Sequence, residues 1–443
     1  MSTGHSVPAV ERATGAYDGF EDDRDFMARP LTTDDTGLGE GYLADLVVKH
    51  LYGAGVLDLG ELAARMALSG ALLEEVLGFL RTEGQVEVRG AVNHSGLLRY
   101  CVTDRGRASA LEALARDGYV GPAPITLADY QLMVKRQSAK ADSVTRAAVH
   151  RVFADTVIRP ELLDRLGPAL HSERAMFLYG APGTGKSFIA RRLSRLLSGS
   201  IFVPHAVMVA DKAVRCFDPG LHRVAPDEAS GSPVALKEGF DRRYVRCQRP
   251  IVTTGGELTL DMLDLQYDEA TRVHHAPPQL KANGGLLVID DLGRQRVDPI
   301  DLFNRWIVPL EEGRDFLALR NGQHFEVPFD LTLVFSTNRD PLELADEAFL
   351  RRIGYKIRFD AMTADAYTAI WRQECERRGL EFDPAIVEYV IADLHGHDQV
   401  PLLPCHPRDL IDLAVNRSRY TGEETLTPEA MDWAWGTYFV RLD

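Results

Sequence analysis

Apolar residues first fall into a regular pattern at Tyr42. Leu43, Leu46, Val47 and Leu51 recur at intervals of three and four, which predicts an amphipathic helix. A second helix is predicted from Leu59 to Leu68, with Leu62, Ala63 and Met66 facing inward. A third follows Ser69-Gly70 and carries Leu73, Val76, Leu77 and Leu80. Gly84 closes that helix. Val86-Glu87-Val88 and Leu98 to Val102 then read as two strands around a turn, and Gly106 to Ala115 as a further helix. Three helices, a two-stranded wing and a closing helix over residues 39–120 make a winged helix-turn-helix.

The segments on either side are less regular. Residues 1–38 are polar and acidic with few aliphatics, so they bury too little apolar surface to offset their ordering entropy and read as a disordered tail. Residues 121–141 contain Gly and Pro with one amphipathic stretch, Leu127 to Val134, and read as a linker. From 142 to 360 helical patterns alternate with short apolar strands, which predicts an α/β domain on a parallel sheet. Over 361–443 the strands stop. Four helical stretches near 363–378, 384–394, 407–418 and 427–440 predict a small helical domain.

Composition narrows the function classes. The 443 residues carry a formal charge of −15, so no overall positive field draws the chain onto nucleic acid or an anionic membrane, though a local patch remains open. The five cysteines, Cys101, Cys216, Cys247, Cys375 and Cys405, form no C-x-x-C pair, which argues against a disulfide framework or thiolate zinc and for a reducing compartment. No apolar run approaches the roughly 20 residues of a membrane span, and the N-terminus has no apolar signal core. A cytoplasmic protein without membrane insertion is expected.

The strongest chemical signal is Gly180-Ala181-Pro182-Gly183-Thr184-Gly185-Lys186-Ser187, which matches G-x-x-x-x-G-K-[ST]. An apolar strand, Met176 to Tyr179, precedes it, and a helical pattern from Ser187 to Leu197 follows. The glycines let the backbone wrap a polyphosphate, N–H groups at the helix start meet its charge, Lys186 reaches the terminal phosphates and Ser187 can ligate magnesium. Gly285 to Asp291 is an apolar strand ending in two carboxylates at the sheet edge where ligands bind in open α/β folds. Asp290 is placed to hold magnesium, and Asp291 to orient or deprotonate an attacking water. Phe329 to Asn338 is a further buried strand, whose terminal Asn338 can bond the γ-phosphate or the lytic water.

On these motifs residues 142–443 resemble the AAA+ ATPases. Gly180 to Ser187 are similar to their Walker A, Leu286 to Asp291 to Walker B, and Asn338 to sensor 1. Phe349-Leu350-Arg351-Arg352-Ile353 resembles the arginine-finger segment, and His406-Pro407-Arg408-Asp409-Leu410 the sensor-2 start of a lid helix. The resemblance implies an AAA+ P-loop core with a C-terminal helical lid, ATP and Mg2+ as cofactors, and hydrolysis of ATP to ADP and phosphate. It also implies a homo-oligomeric ring, such as a hexamer, in which Arg351 or Arg352 acts across the subunit contact. The family's usual Walker B pair is Asp-Glu, whereas here it is Asp290-Asp291. The shorter carboxylate lies about one methylene further from the water and argues against fast hydrolysis.

Asp315 to Val327 reads as a hairpin with an Asn-Gly turn and resembles the pre-sensor-1 hairpin of the MoxR, magnesium-chelatase and enhancer-binding branches. The 104-residue spacing from Lys186 to Asp290 is long, and part of it, Tyr244 to Val252 with Leu258 to Leu265, reads as another β-pair. His274-His275 falls in a polar loop. That pair and His395, His397, Cys405 and His406 read as ordinary histidines and cysteine in place of a zinc site, and the four tryptophans read as packing residues. From Glu40 to Asp117 eight Lys/Arg face eleven Asp/Glu, and the third helix exposes Ala71, Glu74, Glu75 and Gly78. Carboxylates at a groove oppose phosphate binding, so contact with a protein client is favoured over DNA, with Arg89, Arg99, Arg105 and Arg107 keeping DNA open. The chain is expected to be a remodelling or chaperone-like ATPase. A DNA-directed ATPase of the replication or transposition type and a slow ATP-dependent assembly switch stand as alternatives.

Overall fold

The computed structural model describes residues 28–89, 98–138, 144–172, 174–197, 199–226, 240–422 and 425–439. The chain divides into two units, the first made of residues up to Leu114 with Val120–Ala123 and residues 240–244, the second of the remainder.

In the first unit, helices Glu40–Ala54, Leu59–Met66, Gly70–Thr82 and Asp104–Arg116 surround a three-stranded antiparallel sheet in the order Leu57–Asp58, Arg99–Val102, Val86–Arg89. Local chemistry sets the helix starts. Asp58 and Glu61 form a reciprocal capping box, and the Ser69 hydroxyl accepts from the Leu72 N–H. Leu43, Leu46, Leu51, Leu62 and Leu73, the positions picked out by periodicity, are fully buried. The wing tip, 90–97, lies outside the described residues. The expected disordered tail needs correction over its last part. Arg29 donates to the Leu68 carbonyl at 3.1 Å, Thr36 and Leu38 are buried, and the Thr36 carbonyl accepts from the buried Arg243 guanidinium at 3.1 Å. Residues 1–27 of that tail lie outside the described residues.

The second unit is built on five parallel strands: β1 (Met176–Gly180), β2 (Ile251–Thr254), β3 (Leu286–Ile289), β4 (Thr332–Thr337) and β5 (Tyr355–Phe359). Their order is β2-β3-β4-β1-β5. These strands are nearly continuous apolar runs because both faces are covered. Phe177, Leu287, Ile289, Leu333 and Phe335 project to one face, against Phe303, Trp306 and Phe349. Met176, Leu178, Leu286, Val288 and Val334 project to the other, against Leu163, Leu166, Ile189 and Leu193. The alternation along each strand supplies two cores from one sheet. A hairpin, Arg314–Ala318 with His324–Pro328, precedes β4.

Three sequence expectations are corrected here. The linker expected over 121–141 is corrected for its described part, 121–138, since Ile125–Thr126 pairs in parallel with Val207–Met208 and helix Leu127–Gln137 buries Tyr130, Met133 and Val134. That pairing closes a second sheet, in the order Gln266–Asp268, Val273–His275, Lys212–Arg215, Ala206–Val209, Ile125–Thr126. His274 is therefore buried in a strand and does not sit in a polar loop. The β-pair expected over 244–265 does not form either. Tyr244–Gln248 pairs with Ser200–Pro204, Ile251–Thr254 is edge strand β2, and Leu260–Leu263 is a 3-10 turn whose Leu263 fills the core.

Beyond β5, helices Ala364–Arg378, Pro384–Tyr389, Cys405–Thr421 and Pro428–Tyr438 enclose Tyr367, Trp371, Ile411, Met431 and Trp435. Trp433 departs from the packing role expected of it, being 43% exposed with the Arg417 guanidinium 5.6 Å over its ring. Among the described residues no helix is long and apolar enough to cross a membrane.

Gly106 tests the packing of the first unit. A β-carbon there would lie 1.9 Å from the Gln85 carbonyl oxygen, part of the backbone. Gly106→Ala is expected to destabilise this unit by about 1–3 kcal/mol through overpacking. Hydrogen exchange should speed up in helix Gly70–Thr82 while β1 to β5 keep their protection. Unchanged protection in that helix would rule the contact out as a stability determinant.

Candidate nucleotide site

β1 ends at Gly180, whose φ of 142° and a β-carbon position 2.1 Å from the Phe359 carbonyl admit no side chain. The chain then turns through Gly183 and Gly185, both at positive φ, and enters helix Lys186–Leu193. Lys186 is buried, only 5% exposed. Its ammonium donates to the Gly180 carbonyl at 2.9 Å, the Ala181 carbonyl at 2.8 Å and Asn338 Oδ1 at 2.8 Å, with Thr184 Oγ1 further off at 3.3 Å. Three short contacts match its three protons. Burial pulls the Lys186 pKa below the usual lysine range, and the Asp291 and Asp290 carboxylates oppose that pull.

The carboxylates complete the arrangement. Asp290 follows β3, its N–H donates to the Thr254 carbonyl of β2 at 2.8 Å, and its Oδ1 accepts from the Ser187 hydroxyl at 2.7 Å. Asp290 Oδ1 also accepts from the Asp291 N–H at 3.1 Å. Asn338, just past β4, donates through Nδ2 to Asp291 Oδ1 at 3.3 Å while its Oδ1 holds Lys186. Lys186, Ser187, Asp290, Asp291 and Asn338 thus form one connected network at the C-terminal ends of three adjacent strands, with Gly180, Ala181, Pro182, Gly183, Thr184 and Gly185 arching beside it. The donor set suits a small divalent cation, since Ser187 and Asp290 offer a hydroxyl and a carboxylate as hard oxygen ligands on neighbouring elements.

The three arginines singled out in the sequence lie apart from this network. Arg351 is 75% exposed on helix Glu347–Arg352 and pairs with Glu347 at 2.7 Å. Arg352 is more enclosed, bonded to Glu311 at 2.6 Å and to the Ala348 carbonyl at 2.8 Å. Arg408, near the start of helix Cys405–Thr421, is paired with Asp409 at 2.8 Å.

Two features escaped the sequence reading. The segment Leu403-Pro404-Cys405 leans on the P-loop. A β-carbon on Gly183 would come 2.6 Å from Cys405 Sγ, and one on Gly185 would come 3.8 Å from the Pro404 ring. The residues that begin helix Cys405–Thr421 therefore touch the loop from Gly180 to Ser187 directly, and the adjacent His406-Pro407-Arg408 motif was the only local hint. The second feature is Gln295, whose side chain bonds the turn that carries Asp291.

Residues 363–437 match a family model described as "Domain of unknown function (DUF8689)". The vesicle-fusing ATPase of Dictyostelium discoideum is 36% identical over 58 residues, which are 13% of this chain and 8% of that protein, so the match spans under a tenth of the relative's length. Among solved structures the chain is similar to the RuvB Holliday junction branch migration motor of Thermotoga maritima, with a TM-score of 0.37 and 14% identity over 64% of this chain and 70% of that one. It is similar to NtrX from Brucella abortus, with a TM-score of 0.40 and 13% identity over 67% of this chain and 60% of that one. Domain III of the replication initiation protein DnaA from Thermotoga maritima gives a TM-score of 0.35 and 13% identity, covering 64% of this chain and 95% of that one. Structural likenesses of this strength carry no argument about activity.

The helical region beside the P-loop holds two buried histidines with a consequence for pH. His395 is tied to Tyr367 Oη at 3.0 Å and to the Val400 carbonyl at 2.9 Å. His406 is 3% exposed, and burial pushes its pKa down to about 4, helped by His395 and opposed by Asp409. The unfolded chain binds a proton at the ordinary histidine value of about 6.5. Between those values the unfolded state holds more protons, so this contribution is complete above about 6.5 and is lost as pH falls toward about 4. Thermal melts are expected to drop over that window, and His406→Leu should flatten the drop in part, since burial also lowers the pKa of His395, His50, His205, His222, His274 and His275. An unaltered slope in the variant would show that His406 does not titrate in this way.

Proposed function

We propose that the chain is an AAA+ ATPase that binds magnesium–ATP at the loop after β1 and couples its hydrolysis to work on a partner. The observation that carries this reading is the network from Ser187 through Asp290, Asp291 and Asn338 to Lys186, which gathers a cation for the phosphates, hard oxygen ligands for a metal and a carboxylate for the water at one sheet edge. Lys186 exchanges the Gly180 and Ala181 carbonyls and Asn338 for the terminal phosphates. Ser187 and Asp290 hold the magnesium, which supplies charge neutralisation across the phosphates. Asp291 orients the attacking water and accepts its proton, and Asn338 fixes Asp291 and the water relative to the γ-phosphate.

An arginine supplied by a neighbouring copy completes the site. Arg351 suits that role better than Arg352, because it is exposed and held only by an exposed carboxylate one helical turn away, an interaction worth a fraction of a kcal/mol. Arg352 is anchored to Glu311 within its own subunit. A head-to-tail contact that presents Arg351 in this way closes into a ring where the rotation between copies closes, and otherwise opens into a helix. Arg408, on the helix whose first residues touch the P-loop, reaches the phosphates once it leaves Asp409.

The N-terminal winged helix recruits the partner. Helix Gly70–Thr82 exposes Ala71, Glu74, Glu75, Gly78 and Phe79, and the wing arginines are partly neutralised. Arg89 pairs with Glu87 at 3.5 Å, and Arg105 with Glu83 at 3.2 Å. Such a surface favours a protein client over phosphate-rich DNA.

Lys186→Ala is expected to weaken binding of a labelled ATP analogue by about a hundredfold or more, since it removes the cation facing the terminal phosphates. Binding at parental affinity would end the nucleotide assignment.

Arg351→Ala should keep analogue affinity within about threefold while turnover falls by about tenfold or more, with a smaller effect from Arg352→Ala. Mixing Arg351→Ala with Lys186→Ala protein should restore part of the activity, because each variant supplies what the other lacks at a shared site. Parental turnover by Arg351→Ala alone would remove it as the trans group.

A further inference from the structure

We propose that Gln295 is a positioning residue for hydrolysis, holding the turn after β3 in the one conformation that presents the Asp291 carboxylate to Asn338. The inference rests on the ATPase reading and adds to it a residue with no role in the motifs.

The turn is unusual in its backbone. Asp291 has a φ of +50° and Gly293 a φ of +97°. The left-handed conformation is natural for glycine but strained for a residue with a β-carbon, and it persists only where the surroundings enforce it. Part of that enforcement comes from β4, since the Leu292 N–H donates to the Ser336 carbonyl at 2.8 Å and the Thr337 hydroxyl donates to the Leu292 carbonyl at 2.8 Å. These bonds fix Leu292. They leave the carbonyls of Asp290 and Asp291 to partners outside β4, and that of Asp291 accepts from the Arg294 N–H at 3.0 Å.

Gln295 takes up those carbonyls. Its Nε2 donates to the Asp290 carbonyl at 2.9 Å and makes longer contacts to the Asp291 and Gly255 carbonyls, both at 3.3 Å. Its Oε1 accepts from the Gly293 N–H at 2.8 Å. The amide cannot be reversed, because three acceptors surround one end and a donor faces the other. One side chain thus spans both flanks of Asp291 and reaches Gly255, the residue after β2. Because the Thr254 carbonyl already accepts from the Asp290 N–H, the ends of β2 and β3 are locked together around the catalytic turn. Without the Gln295 amide the turn keeps the bond from the Arg294 N–H to the Asp291 carbonyl at 3.0 Å but loses the tie between the Asp290 and Gly293 peptides, and that loss lets the Asp291 carboxylate swing off the line to Asn338. None of these Gln295 bonds reaches the loop from Gly180 to Ser187 or the Asp290 carboxylate, so their loss falls on the turn that presents Asp291 and bears on the chemical step more than on nucleotide capture.

The test uses the full-length chain and single-turnover hydrolysis at saturating ATP, alongside binding of a non-hydrolysable ATP analogue. Gln295→Ala removes the amide, and Gln295→Glu keeps its shape but turns a second oxygen toward three carbonyls. Both are expected to slow hydrolysis by about tenfold or more while analogue affinity stays within about threefold, a split that general loosening of the fold would not give. Added to Asp291→Asn, the Gln295→Ala change should cause no further slowing, because it acts only through that carboxylate. Hydrolysis within twofold of the parent by both variants, a loss confined to nucleotide affinity, or a full multiplicative effect on top of Asp291→Asn would each overturn the positioning role. Absence of turnover in the parent would overturn the ATPase reading and this inference together, which separates the two failures.

Discussion

A buried ammonium must be surrounded by oxygen, and in this chain that requirement organises everything near the site. Removing Lys186 from water without compensation costs several kcal/mol, so its charge is met by acceptors from the end of β1, from the loop after it and from Asn338 beyond β4. Those acceptors converge only because β4 lies between β1 and β3 in the sheet. The same adjacency sets Asp290 and Asp291 beside the lysine, where their negative charge offsets part of its desolvation. Sheet order, loop shape and the charge balance of the site are thus one constraint expressed at three scales.

That constraint extends into the C-terminal helices through plain steric contact. Gly183 and Gly185 lack side chains where Cys405 and Pro404 approach, so the loop and the start of helix Cys405–Thr421 fill one space. Any change in loop shape displaces residues that are continuous with Arg408 and with the buried pair His395 and His406. The helical region is well packed around Trp371 and Trp435, so a contact at the start of helix Cys405–Thr421 bears on a close-packed core.

How much of this was legible in the sequence follows from how local each feature is. The P-loop is eight contiguous residues between a strand and a helix, and the structure brings Lys186, Ser187, Asp290, Asp291 and Asn338 together as the spacing implied. The three helices and wing of the first unit were legible because each carries its own apolar stripe and caps. What escaped was long-range. Ile125–Thr126 looks like a linker until its partner at Val207–Met208 is known, and Ile251–Thr254 is too short an apolar run to be told from its neighbour Tyr244–Gln248. Residues 28–38 carry few aliphatics, yet they are held by an arginine more than 200 residues away. Which of two adjacent arginines is anchored depends on Glu311, a partner no local pattern reveals.

The Asp-Asp pair at the end of β3 gains a reason from the backbone. A glutamate at position 291 would reach further, but the turn demands a left-handed residue there, and short side chains of the Asn and Asp type tolerate that region better than longer ones. With φ at +50°, the short carboxylate already lies 3.3 Å from the Asn338 amide, so the residue after β4 is reached without the extra methylene. The identity of the acid and the conformation of the turn therefore explain each other. A backbone aimed by its neighbours substitutes for side-chain length, and the accuracy of the site is moved from a flexible rotamer into a hydrogen-bonded turn. In such an arrangement the position of the carboxylate is set less by its own rotamer than by how firmly the peptide groups around it are held.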